Sequence, residues 1–159
     1  MMNEDSSQSN ANLRCSLNHL IQTCKDGQEG FLTAAENVGD SDTKRLFSEY
    51  SLQRSKYVGE LQAILRDLGD SDPENASSNA GTVHRGWINL KGAILSEDVH
   101  AILVECERGE SHAVAEYEKT LKAELPANVR EMVSRQYAAI LACHHQVRTL
   151  SDAGGPTWA

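Results

Sequence analysis

Glu105-Cys106-Glu107-Arg108-Gly109-Glu110-Ser111-His112 is the stretch on which the fold turns. It lies inside a helical pattern whose apolar stripe runs Val99, Leu103, Cys106, Ala113, Tyr117 and Leu121. Glu110 falls on the centre line of that stripe. A carboxylate standing where a leucine belongs is costly to bury unless another charge or a metal answers it. The question of function therefore begins as the question of its partner.

Outward from this stretch the chain reads as helices. Ser96-Glu97-Asp98 offers a Ser cap and two first-turn acids, so the central helix is expected over residues 97–124. Leu125-Pro126-Ala127-Asn128 breaks it, and another helix is expected over residues 127–150 with Val133, Ile140, Cys143 and Val147 inward and Gln136 off-pattern. On the other side, a short helix is expected over residues 83–95, preceded by a Ser/Asn/Asp/Gly-rich loop from Gly69 to Gly81. A helix over residues 43–68 turns Phe47, Tyr50, Tyr57, Leu61, Ile64 and Leu68 inward, with Arg54 in the same series. Gly39-Asp40-Ser41-Asp42 stops one helix and restarts the next, with Ser41 or Asp42 as cap. The first helix, residues 12–38, carries its stripe from Leu13 to Val38 with Gln28 its one strongly polar member. Gly27 and Gly30 each cost about 1 kcal/mol against Ala, which points to close approach of a neighbouring helix. Residues 1–11 are expected to be disordered and 152–159 to form a frayed tail, leaving one bundle over 12–151.

Composition narrows the function classes. A net charge of -8 leaves no basic face for nucleic acid or an anionic membrane. No apolar run approaches the roughly 20 residues that span a bilayer, so a soluble, cytoplasmic protein is expected. The 4 cysteines show no CxxC or metal-finger spacing and read as buried free thiols of a reducing compartment, with a Cys106–Cys143 disulfide as the redox alternative. With 5% aromatics and few β-branched runs, the fold class is all-α.

Two antiparallel hairpins joined by a long crossover with a short extra helix describe a ferritin-like four-helix bundle. Asp26-Gly27, Gly30-Phe31, Ala34-Ala35-Glu36, Gln53-Arg54, Glu60-Leu61, His84-Arg85-Gly86-Trp87, Glu105 to Glu110, and His144 with Val147-Arg148 occur in that order. Together they resemble a bacterial family of ferritin-like four-helix-bundle proteins catalogued as a domain of unknown function. The resemblance implies the fold and no activity.

Di-metal sites on this architecture take a Glu from each of two helices and a Glu-x-x-His from each of the others. Here Glu60 is followed by Ala63 at that spacing and His144 is preceded by Leu141, so neither motif is present. Glu29 and Glu36 point away from their helix's stripe. Glu107, Glu110 and His144 remain as fragments of an iron or manganese site. Reflection through the hairpin turns puts Arg54 and Glu110 within about one helical turn of each other. A buried polar layer of Gln28, Arg54, Glu110 and His144 is therefore expected, with no metal and no cofactor. His84, Arg85 and Trp87 either line a small-molecule cleft or, through Trp87, staple the crossover to the bundle. The favoured function is a non-catalytic structural or interaction protein, with a homodimer among its assemblies; the alternative is a metal-dependent oxidoreductase using iron or manganese.

Overall fold

The computed structural model describes residues 2–73 and 86–153, with side chains from residue 7 onward. Among them the chain is all-helical: α1 (Met2–Asn37), α2 (Ser41–Asp67), α3 (Leu90–Leu95), α4 (Val99–Leu121) and α5 (Ala127–Ala153). None of these helices is long and apolar enough to cross a membrane.

The caps differ from the expected ones. Asp40, not Ser41 or Asp42, caps α2: its Oδ2 accepts from Thr43 N at 3.0 Å and from Thr43 Oγ1 at 2.7 Å. Asp98, not Ser96, caps α4, its Oδ1 accepting from His100 N at 3.0 Å; Ser96 instead ends α3. Gly69 closes α2 with φ 95, the left-handed conformation that glycine adopts without a Cβ clash. The first helix begins at Met2 rather than near Asn12, so residues 2–11 are helical where disorder was expected. From residue 7 to Asn12 that extension is exposed and adds nothing to the core. The short helix covers Leu90–Leu95, a shorter span than 83–95. Residues 74–85, which hold most of the expected loop together with His84 and Arg85, lie outside the described residues, as do residues 154–159.

Contacts set the helix directions. Ser51 Oγ donates to the Gln28 carbonyl and Arg14 to that of Leu68, so α1 and α2 are antiparallel. Tyr117 meets Gln136 while Glu107 meets His144, so α4 and α5 are antiparallel too. Cys24 lies against Tyr117, and Gly30 and Gly109 face the same indole, which makes α1 antiparallel to α4. Hence α1 and α5 run one way, α2 and α4 the other, and the connection from α2 to α4 spans the bundle end to end.

Two apolar clusters fill the interior. One gathers Leu17, Leu20, Ile21, Leu61, Leu65, Tyr117, Val133 and Ile140; the other Phe31, Ala34, Phe47, Trp87, Ile102, Cys106 and Val147. The break between them falls at one level on every long helix: after Cys24 on α1, between Tyr50 and Tyr57 on α2, between Cys106 and Ala113 on α4, and between Ile140 and Val147 on α5. Val99, expected inward, stands past the packed length of the stripe and is 47% exposed.

Candidate functional site

Arg54 and Glu110 occupy the break between the two apolar clusters. Both residues are 0% exposed. The guanidinium is bidentate: Nη1 donates to Glu110 Oε1 and Nη2 to Oε2, each at 2.6 Å. This is the strongest geometry available to such a pair, and it answers both charges inside a low-dielectric core. Burial works to deprotonate Arg54, but the charge and hydrogen bonds of Glu110 outweigh it and hold the guanidinium above its ordinary pKa.

The rest of the guanidinium is covered. Nε donates to Gln53 Oε1 at 3.2 Å, and the Phe31 ring lies 5.5 Å from Cζ. Gly27 makes room for it: a methyl group there would stand 2.9 Å from Nη1. Gln53, one residue before Arg54, also accepts from Cys143 Sγ at 3.5 Å. The expected partners are placed differently. Gln28 is half-buried and meets α2 through its backbone carbonyl, which accepts from Ser51 Oγ at 2.8 Å. His144 is buried but turned to another acid, with Nε2 2.8 Å from Glu107 Oε1, where Arg148 Nη2 also donates at 3.3 Å. Burial would raise the Glu107 pKa, yet the hydrogen bonds from His144 and Arg148 hold it below the ordinary carboxylate value. The four residues foreseen as one layer thus form a pair, Arg54 and Glu110, with His144 and Gln28 making contacts of their own.

A second polar chain begins one level away. Tyr117 OH donates to Gln136 Oε1 at 2.6 Å, so its oxygen accepts from Cys24 Sγ at 3.2 Å. Gln136 Nε2 passes the chain to Glu60 Oε1 at 2.9 Å, and Arg135 Nη2 lies 3.2 Å from Glu60 Oε2. Burial pushes the Cys24 thiol up to about 11, with Arg54 working in the opposite sense. Cys106 and Cys143 are likewise raised by burial, and both are free thiols, so the disulfide alternative is not adopted.

The metal alternative is tested by the same geometry. Glu107 and His144 meet, but Glu110 is bound on both oxygens by Arg54, so the three fragments do not converge. Among the described residues no group of 3 or more His, Cys, Asp or Glu side chains could hold a metal ion. Glu29 and Glu36 are both exposed. The described residues do not fit a carboxylate-bridged pair of ions.

Trp87 anchors the crossover. A methyl group on Gly30 would stand 2.4 Å from its Cδ2 and one on Gly109 2.3 Å from its Cε2, so the indole fills a slot between α1 and α4 that only glycines can form. Gly30 thus admits the crossover's indole rather than a neighbouring helix. The ring also packs edge-on against Phe31, with centroids 5.0 Å apart. Glu105, buried and unassigned by sequence reasoning, accepts from the Asn89 backbone at 3.3 Å and so fastens the start of α3.

The family model described as Domain of unknown function (DUF2383) matches residues 13–123, a span that holds Arg54, Trp87 and Glu110 together. The chain belongs to that family. The matched DUF2383 region runs from the first turns of buried α1 through the end of α4, so the α5 contacts of Gln136, Cys143 and His144 lie beyond it. No curated protein matches the chain.

Proposed function

We propose that this DUF2383 protein is a ferritin-like bundle in which a buried arginine–glutamate pair stands where metal-bearing relatives of that architecture keep their ions. It acts as a non-catalytic structural or interaction protein of the cytoplasm, with a homodimer among its assemblies. The observation that carries this reading is the bidentate Arg54–Glu110 contact at 2.6 Å on both arms. A guanidinium satisfied in this way is a fixed internal cation: it supplies positive charge to Glu110 and takes up one acceptor site on each of its oxygens. The helix directions, with a crossover running the length of the bundle between the hairpins, support the ferritin-like assignment.

Metal analysis of protein purified without chelator tests the reading. Iron, manganese and zinc are expected well below one equivalent per chain. A pair of bound transition ions per chain overturns it and favours an oxidoreductase.

A further inference from the structure

The large apolar side chains left in solvent are concentrated. Among the described residues these are Leu32, Leu52, Ile88, Leu95, Val99 and Val104, and the last four come from α3, the turn before it and the first turns of α4. Leu95 and Ile88 stand out most there, 72% and 60% exposed. Beside Leu95 the surface between α1 and α3 sinks into a hollow of about 400 Å³, walled by Trp87, Leu90 and Ile94. Its rim carries Glu29 on α1 and Lys91 on α3. Lys91 is exposed and makes no ion pair with a described residue.

A contact between identical copies about a two-fold axis uses one patch twice, so that patch has to supply both the projection and the recess. This face does: an exposed leucine lies at the lip of an apolar hollow, and a lysine and a glutamate stand on opposite rims. In a chain of net charge -8, such a juxtaposition also lets two copies approach without opposing like charges. We infer that a second copy of this chain docks on the α1–α3 face, Leu95 of each copy entering the hollow of the other and Lys91 of each meeting Glu29 across the axis. This deepens the interaction role proposed above. Its test stands apart, because association can fail while the Arg54–Glu110 layer behaves as described.

Sedimentation velocity of the full chain from micromolar to hundreds of micromolar should show a concentration-dependent dimer. Leu95→Asp should weaken association about tenfold or more, by placing a charge in an apolar hollow. Leu52→Asp, changing a side chain equally exposed at 72% but carried on α2, should leave it unaltered. Lys91→Glu and Glu29→Lys should each be monomeric alone and dimerise when mixed, since only the mixed pair opposes unlike charges at both contacts. A chain monomeric throughout the range, a Leu52→Asp effect equal to that of Leu95→Asp, or a mixture that stays monomeric would overturn the proposal.

Discussion

Gly109 and Glu110 are consecutive on α4 and serve different partners: Gly109 admits the Trp87 indole, and Glu110 takes the Arg54 guanidinium. Within one residue, α4 is thus fastened to the crossover and to the α1–α2 hairpin. The two attachments are chemically unlike, one steric and one ionic, and they respond differently to substitution.

For the ionic one, Glu110→Ala strands a buried arginine and should cost about 3–5 kcal/mol, and Arg54→Ala should cost about as much. Glu110→Leu combined with Arg54→Met removes both charges and should recover most of that loss. Urea unfolding of the singles and the double gives the coupling directly. Additive losses with no recovery would show that the pair contributes nothing jointly.

For the steric one, Trp87→Ala should cost about 3–5 kcal/mol, the usual range for an aromatic removed from a core. Gly109→Ala should also destabilise, by about 1–3 kcal/mol, because its methyl group would press into the face of the indole. Gly59→Ala is the control: nothing lies within 4 Å of a Cβ there, and α2 should gain about 1 kcal/mol from the better helix former. Tryptophan emission in a Trp158→Phe background should shift to the red in Gly109→Ala and stay put in Gly59→Ala.

Glu107 predicts an acid limb of stability. Its folded pKa lies below the ordinary 4.5, so its contribution is present above that value and is lost as the pH falls through the folded one. The loss therefore lies below about pH 4.5. Urea midpoints from neutral pH down to about pH 3 should fall more steeply in the wild type than in Glu107→Gln. Parallel curves would mean that the contacts to His144 and Arg148 do not persist in solution.

Thiol chemistry follows burial. Cys15 is exposed, whereas Cys24, Cys106 and Cys143 are buried with raised pKa values, Cys24 at about 11. Ellman's reagent at mildly alkaline pH should therefore label Cys15 quickly and the others only as fast as the bundle opens. Rapid labelling of Cys143 would show that the α2–α5 seam admits solvent.

The stripe positions were legible because helical periodicity places Arg54 and Glu110 among leucines and aromatics, and an ionic residue there has few permitted partners. Gln53 was not, since it stands off the stripe and reaches Arg54 only by folding back on its neighbour. Periodicity put His144 near the layer, but which acid it faces depends on ring direction, and the ring meets Glu107 while Arg54 holds both oxygens of Glu110. The cap of α2 moved by one residue in a run, Asp40-Ser41-Asp42, whose members can all cap. The helical start of α1 left no trace in the apolar stripe, since its side chains from Ser7 to Asn12 are exposed. Trp87 was expected inside the short helix over residues 83–95, with stapling the crossover as one of its two readings; it stands before α3, and the slot between Gly30 and Gly109 was not foreseen, Gly30 having read as room for a neighbouring helix.

The two apolar clusters are separated by an ion pair whose members belong to different hairpins, 56 residues apart in sequence. Each hairpin can form from local contacts, but the pair forms only when one hairpin docks on the other. A slip of one helical turn, about 5.4 Å, would still bury leucines against leucines, yet it would leave a guanidinium and a carboxylate facing hydrocarbon. We expect the pair to act as a register key, excluding neighbouring alignments that the apolar stripes by themselves tolerate. The Arg54→Met, Glu110→Leu chain, stable but keyless, should then show doubled amide resonances from coexisting alignments, and a single sharp set would show that side-chain shape alone sets the fit.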